Sequence, residues 1–255
     1  IETLEKAFAE NPGKIACVIM EVPGIDPAID IRTGKNFLQL VKETANRNGA
    51  LFILDEIVTG FRYSLGGAQK YYDVTPDLSC FGKGMANGFA ISAVVGKREF
   101  MNELNEVFFS MTYSGDTVGL SAAKATITEL MNKPVIPHIW EMGEKLHKGI
   151  NSFAEKAGVN FRITGKPPRG GISAKNANGE DDLLLKSVFL QETVKRGILY
   201  GGPVFISYSH SKEDIERTIE ASCEAISVVK EAAACGEPEK FLEGEPIGVV
   251  FRQRN

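Results

Sequence analysis

The sequence predicts an α/β fold in two lobes: a mostly parallel sheet within residues 1–133, then a smaller α+β domain over 134–255 that closes in a surface tail. Three observations lead there. Ile15–Met20 and Ala50–Leu54 are short, uninterrupted apolar runs, the pattern of strands buried on both faces of a parallel sheet. Between them, Phe37, Val41 and Ala45 recur four apart, giving a helix one apolar stripe. A strand–helix–strand unit of this kind crosses over right-handed and leaves its strands parallel. Pro134 and Pro137 then interrupt the helical spacing of Thr117–Met131, and the lobe boundary is set there.

In chain order, residues 1–11 read as the end of a helix closed by Asn11-Pro12-Gly13. The first strand ends at Glu21, and a Pro/Asp loop covers Pro23–Thr33. The helix over residues 34–48 stops at Gly49, the usual place for a C-cap. Leu51–Leu54 then run straight into Asp55 and Glu56 and a Thr59-Gly60 turn. A second strand, Leu78–Phe81, ends in Gly82-Lys83-Gly84, where flanking glycines are expected to let the backbone turn tightly and free the amine to point into a cleft. Ala90–Val95 reads as another strand and Lys97–Asn105 as a short helix. In the second lobe an amphipathic helix, Ile139–Ala157, precedes a strand at Val159–Ile163 and a Gly/Pro loop over Gly165–Gly171. A helix from Asp181 to Arg196 ends at Gly197, and Val204–Tyr208 is a strand. Ser211 and Asp214 have the form of a capping box opening a last helix to about Ala234. The final twenty residues, rich in Glu, Gly and Pro, read as the tail.

Composition narrows the function. With 255 residues, 43% hydrophobic and 24% charged, the chain buries a sizeable core. A net charge of −4 gives no basic footprint and argues against nucleic acid as a partner. No apolar run approaches the ~20 residues that span a bilayer, and there is no signal peptide, so no membrane partner is expected. Four cysteines stand singly, without a C-x-x-C pair, which suits a reducing, cytoplasmic setting. Three widely separated histidines argue against a metal site.

Asp55 stands at the carboxyl end of a strand, where open α/β sheets gather their chemistry. Taken alone, it reads first as a cap for the following turn. Lys83 alone reads as a solvated lysine after a strand. Arg169, in GKPPRGG, reads either as a grip on a substrate carboxylate or phosphate or as a solvated loop arginine.

Three ordered blocks sharpen the reading: DEIVTGF from Asp55, PDLSCFGKGMANG from Pro76, and SMTYSGDT from Ser110. Together they resemble the class III pyridoxal-phosphate aminotransferases, most closely the glutamate-1-semialdehyde aminomutases and related aminotransferases. The resemblance runs from about Pro12 to His210 and beyond. It implies a fold type I architecture, with residues 1–133 a partial cofactor-binding large domain, and pyridoxal 5′-phosphate as cofactor. It also implies a homodimer with a small-molecule amino donor and a carbonyl acceptor as partners. By the same resemblance Lys83 forms the Schiff base, and Asp55 balances the protonated pyridine nitrogen of the cofactor. Ile57 packs on the ring, and Thr112 donates to the cofactor phosphate of the neighbouring subunit. A lysine of this kind is partly desolvated, which brings it to roughly pKa 7–8.

Two residues depart from the family pattern. Val58 stands where many members carry Gln and tilts the chain toward the aminomutase branch; Met111 stands where a Gly usually precedes the threonine. The implied activity is transfer of an amino group between a donor and an aldehyde or ketone. Alternatives are an intramolecular aminomutase of the glutamate-1-semialdehyde type and a catalytically silent fragment. The last is in view because Ile1 aligns with the middle of the family's large domain, after its Ser/Gly-rich phosphate turn and its cofactor-stacking aromatic.

Overall fold

Across the described residues, 1–22, 29–30, 33–108 and 110–248, the computed structural model divides the chain into two units, Ile1–Ile136 and Pro137–Asn255. Most of the expected Pro23–Thr33 loop and residues 249–255 of the tail lie outside the described residues.

The first unit is built on a sheet of β1 (Cys17–Glu21), β2 (Leu51–Asp55), β3 (Leu78–Phe81) and β4 (Ala93–Gly96), in that order. β1 and β2 run parallel from Cys17 opposite Leu51 to Glu21 opposite Asp55, and β2 and β3 run parallel with Asp55 opposite Cys80. β4 is antiparallel to β3, and it begins later than the expected strand at Ala90. The connection from β3 to β4 explains the reversal. A parallel return needs a crossover of about a dozen residues or more, usually helical. Residues 82–92 are spent instead on a single 3-10 turn, Lys83–Met85, and a loop.

α2 (Phe37–Arg47) fills the crossover between β1 and β2. Asn36 caps it through a box with Gln39, and the two side chains also donate to the Tyr72 and Asp73 carbonyls at 2.8 and 2.9 Å. α2 packs on β2, and Leu38, Val41, Ala45, Phe52 and Leu54 are all buried. The buried stripe thus begins at Leu38, with Phe37 half-buried. α1 (Glu2–Glu10) rests on α2. The other face of the sheet is open at β1, where Ile19 is 59% exposed.

At the amino ends of β2 and β3, Asp77 is a structural carboxylate. It accepts from the Phe52 amide and the Asn46 side chain, both at 2.8 Å, and pairs with Lys97 at 2.6 Å. Burial alone would raise this carboxyl, but those donors outweigh it and hold it below the ordinary aspartate value. The rest of the unit is α3 (Gly67–Tyr71), α4 (Arg98–Met101) with a 3-10 turn after it, and α5 (Thr117–Asn132), capped by Asp116.

α6 (Val135–Ala157), which lies in the second unit from Pro137 onward, starts four residues earlier than its spacing suggests. Pro137 sits in its first turn, where the missing amide costs nothing. A three-stranded antiparallel sheet follows, in the order β5 (Phe161–Lys166), β6 (Arg169–Ala174), β7 (Val204–Phe205). The GKPPRGG segment is therefore a hairpin rather than a loop. Only Pro167 and Pro168 form its turn, where no ladder amide is required. Hairpin and α6 approach closely at two glycines, one on each: a Cβ on Gly170 would come within 2.8 Å of His147 Nε2, and one on Gly143 of α6 within 2.0 Å of the Pro167 carbonyl oxygen.

α7 (Leu183–Lys195) is capped by Asp182, and α8 (Lys212–Cys235) opens with the Ser211–Asp214 box and ends at Gly236 in the left-handed region. The tail is less of a surface appendage than expected. Gln191 on α7 bonds the Phe241 carbonyl and the Glu243 amide, and the Ile247 amide donates to Ser187. Among the described residues, no helix is long and apolar enough to cross a membrane.

Candidate active site

The carboxyl ends of β2 and β3 bring Asp55, Ile57 and Lys83 to one end of one sheet. Asp55 and Cys80 are register partners, and Lys83 follows three residues after Cys80. Asp55 is half-buried, and its Oδ1 accepts the Ile57 amide at 2.8 Å. That bond is the cap expected of a strand-end aspartate, and it leaves Oδ2 for another charge. The carboxylate is felt next door: burial first, and then the charge of Asp55, push the Cys80 thiol upward. Ile57 is half-buried and lies against the chain that presents the lysine, since a Cβ on Gly82 would sit 3.8 Å from its side chain.

The Lys83 turn is made differently from the sequence expectation. Gly82 is extended, and an added Cβ on Gly84 would meet nothing, so neither glycine supplies the tight turn. The left-handed backbone falls on Lys83 itself, at φ 44°, and again on Asn87, at φ 46°. A non-glycine residue held there is strained, and such strain gathers where a side chain must be aimed. Met85 and Ala86, next in the chain, anchor the turn in an apolar cluster with Ala123 of α5 and with Phe61 and Phe81. The Lys83 side chain itself is exposed, so the described residues do not supply the desolvation a reactive amine needs.

Thr112 lies apart from this block in sequence, in a turn over 111–115 that leads into α5. The turn is closed by the Ser114 amide on the Met111 carbonyl at 3.0 Å, and Thr112 is exposed. Val58 is half-buried after Ile57. Arg169 opens β6 in the second unit, half-buried and opposite Phe205, which removes the solvated-loop reading.

Glu56 reads from the sequence only as a residue able to bond nearby backbone. It is 1% exposed and gathers three donors: the Thr59 hydroxyl, the Ala68 amide at 2.9 Å and the Gln69 amide at 2.7 Å. The signal available beforehand was its place beside Asp55 in a turn dense with amides.

The donor set fits the ring end of pyridoxal 5′-phosphate: a carboxylate for a cationic nitrogen, an aliphatic wall and a primary amine on one sheet end.

Comparison with known proteins agrees in kind. The family model "Aminotransferase class-III" matches residues 1–221. A 3-aminobutyryl-CoA aminotransferase from Cloacimonas acidaminovorans is 34% identical over 236 residues, which is 90% of this chain and 56% of that protein. A glutamate-1-semialdehyde 2,1-aminomutase from Methanosphaera stadtmanae is 32% identical over 235 residues, 86% of this chain and 55% of that one. Among solved structures, the FumI protein of a Sphingopyxis species, in its PLP internal aldimine form, superposes with a TM-score of 0.80 at 23% identity, covering 91% of this chain and 56% of its own. An omega-transaminase from Sphaerobacter thermophilus gives 0.76 at 21% identity, over 90% and 56%. Identities this low speak to the fold. The chain spans about half the length of the relatives it matches.

Proposed function

The chain belongs to the class III aminotransferases, and from that premise we propose that the protein carrying it moves an amino group between a small amino donor and an aldehyde or ketone, using pyridoxal 5′-phosphate held at Lys83. The observation that carries this reading is the β2–β3 register, which sets Asp55 and the Lys83 turn at one end of a parallel sheet.

When bound, this cofactor supplies an aldehyde that takes up amines and a cationic ring that draws electrons from the carbon attached to the amine. The chain's own residues do the rest. Lys83 Nζ would be the amine that holds that aldehyde and, when free of it, the base that would carry the proton of the donor carbon to the cofactor carbon bearing the amino group. Asp55, tied to the Ile57 amide by Oδ1, keeps Oδ2 for the ring nitrogen and holds a proton there. Ile57 excludes water from one ring face. Thr112 gives its hydroxyl to the phosphate bound by a second copy.

A homodimer is part of the proposal, supported by the apolar surface around Thr112: Phe108 is 96% exposed and Tyr113 86%. Four free cysteines support a cytoplasmic setting. An intramolecular aminomutase is the second reading, favoured by the apolar Val58 and by the Methanosphaera relative. Turnover with and without an external amino donor separates the two.

Borohydride reduction of the full-length protein with its cofactor, followed by peptide mapping, tests the assignment. The pyridoxyl label is expected on Lys83, and Lys83→Ala is expected to abolish it. That variant should also lose ~10²–10⁴ in rate for the missing acid/base, and more for the missing attachment. A label on Lys70 or Lys97 overturns the reading.

A further inference from the structure

Glu56 binds more of the site together than its neighbours do. Besides its three side-chain bonds, its amide donates to the Cys80 carbonyl at 2.9 Å, and its carbonyl accepts the Gly60 amide at 2.7 Å. Gly67 closes over the same carboxylate. At φ 77° it brings the backbone so near that a Cβ would lie 2.6 Å from Oε1. The turn over residues 59–69 is thereby fixed to the strand end that carries Asp55 and Ile57.

That turn reaches the lysine by packing. Phe61 is held at φ 59°, and its ring centroid lies 5.6 Å from that of Phe81, two residues before Lys83. Gly60 approaches Phe81 so closely that a Cβ would meet its ring at 2.5 Å. Both phenylalanines belong to the apolar cluster that anchors Met85 and Ala86.

We infer that Glu56 is a positioning residue: through the 59–69 turn and the Phe61–Phe81 contact, its buried carboxylate sets where the Lys83 amine and the Asp55–Ile57 backbone stand. The inference rests on the reading of Lys83 and Asp55 proposed above. A purely structural role is the rival, and the fold supplies its control. Asp77 is also 1% exposed and also accepts several donors, but it does so at the amino ends of the same two strands.

The test uses the full-length protein and the variants Glu56→Gln, Thr59→Val and Asp77→Asn. Glu56→Gln turns one acceptor into a donor facing an amide, while Thr59→Val removes one donor and leaves the carboxylate. Three quantities are measured: the Tm; in apo-protein, the pH midpoint for modification of Lys83 by trinitrobenzenesulfonate, mapped by mass spectrometry; and kcat and KM with cofactor. Glu56→Gln and Thr59→Val are expected to move the Lys83 midpoint and to lower kcat about tenfold or more with KM little changed, as small misplacements of reacting groups do. Asp77→Asn, at a comparable loss of Tm, is expected to change neither. An unmoved midpoint in Glu56→Gln and Thr59→Val overturns the inference, as does an equal shift in Asp77→Asn. If Glu56→Gln does not fold, Thr59→Val decides. Borohydride labelling of the unaltered protein is run beside these: a label away from Lys83 overturns the underlying assignment, whereas a label on Lys83 with an unmoved midpoint overturns the role of Glu56 alone.

Discussion

Asp55, Glu56 and Asp77 are three carboxylates on two adjoining strands, and their surroundings divide the work among them. Asp77 spends itself on Phe52, Asn46 and Lys97 at the amino ends, and Glu56 on Thr59, Ala68 and Gln69. Asp55 is the one with a single backbone bond described and an oxygen left for a ligand cation. Replacing it with asparagine retains the bond to Ile57 but cannot balance a pyridinium charge. Asp55→Asn in the full-length protein is therefore expected to keep the fold and much of the cofactor affinity while slowing proton abstraction by ~10² or more, as removal of one aimed electrostatic contact does. A kinetic isotope effect with α-deuterated donor, alongside a thermal melt, checks it. An unchanged rate in Asp55→Asn, with Asp55→Ala merely less stable, would mean that capping is the whole of its role. The DE pair was legible in the sequence as a strand end, and the resemblance singled out Asp55 from it. The burial of Glu56 was not legible, because it depends on the 59–69 turn folding back over that carboxylate.

Elements with local signals were the easiest to read. The Ser211–Asp214 box opens α8 where the sequence places it, because capping is settled within a turn of chain; the Asn36 box of α2 and Gly236 after α8 are signals of the same local kind that the reading did not use. β6 was lost because PP and GG side by side read as loop. Its Gly170 instead answers to α6 arriving from elsewhere in the fold, which no local pattern shows. The same approach encloses His147. Its Nε2 is buried, no hydrogen bond reaches it among the described residues, and burial holds its pKa below the ordinary 6.5. The unfolded chain then takes up a proton near pH 6.5 that the folded second unit resists. Stability from this group is full above that pH and declines as the pH falls through it, levelling off below the folded value. Trp140 on the same helix reports unfolding of this unit. The expected result is a urea midpoint, followed by Trp140 fluorescence, that falls between about pH 7.5 and about pH 5.5, and falls less in His147→Gln. Equal slopes in the two proteins would assign the pH dependence to other groups.

For the molecule as a whole, what lies uncovered matters as much as what is packed. Scattered apolar side chains on a surface are ordinary, but Leu104, Val107, Phe108, Met111, Tyr113 and Val118 follow one another along one segment and are all exposed. β1 stands at the edge of the sheet among the described residues, with Ile19 bare on its face. The sequence could reveal which residues were apolar, yet their exposure depends on what the fold leaves unpacked. The cofactor tells the same story in charge. A phosphate with nearly two negative charges calls for several convergent amides and hydroxyls. The hydroxyl proposed for it here, Thr112, stands on the exposed apolar segment and is assigned to the other copy. The 255-residue chain prepared by itself is therefore expected to associate through these surfaces and to hold pyridoxal 5′-phosphate far more weakly than the full-length protein. A cofactor titration followed by absorbance, with light scattering on the same sample, measures both at once. Scattering should rise with concentration well before the cofactor saturates. A monodisperse dimer with tight, stoichiometric binding would show that the open sheet face and the Phe108–Tyr113 segment cover each other's needs within this chain, and would overturn the expectation.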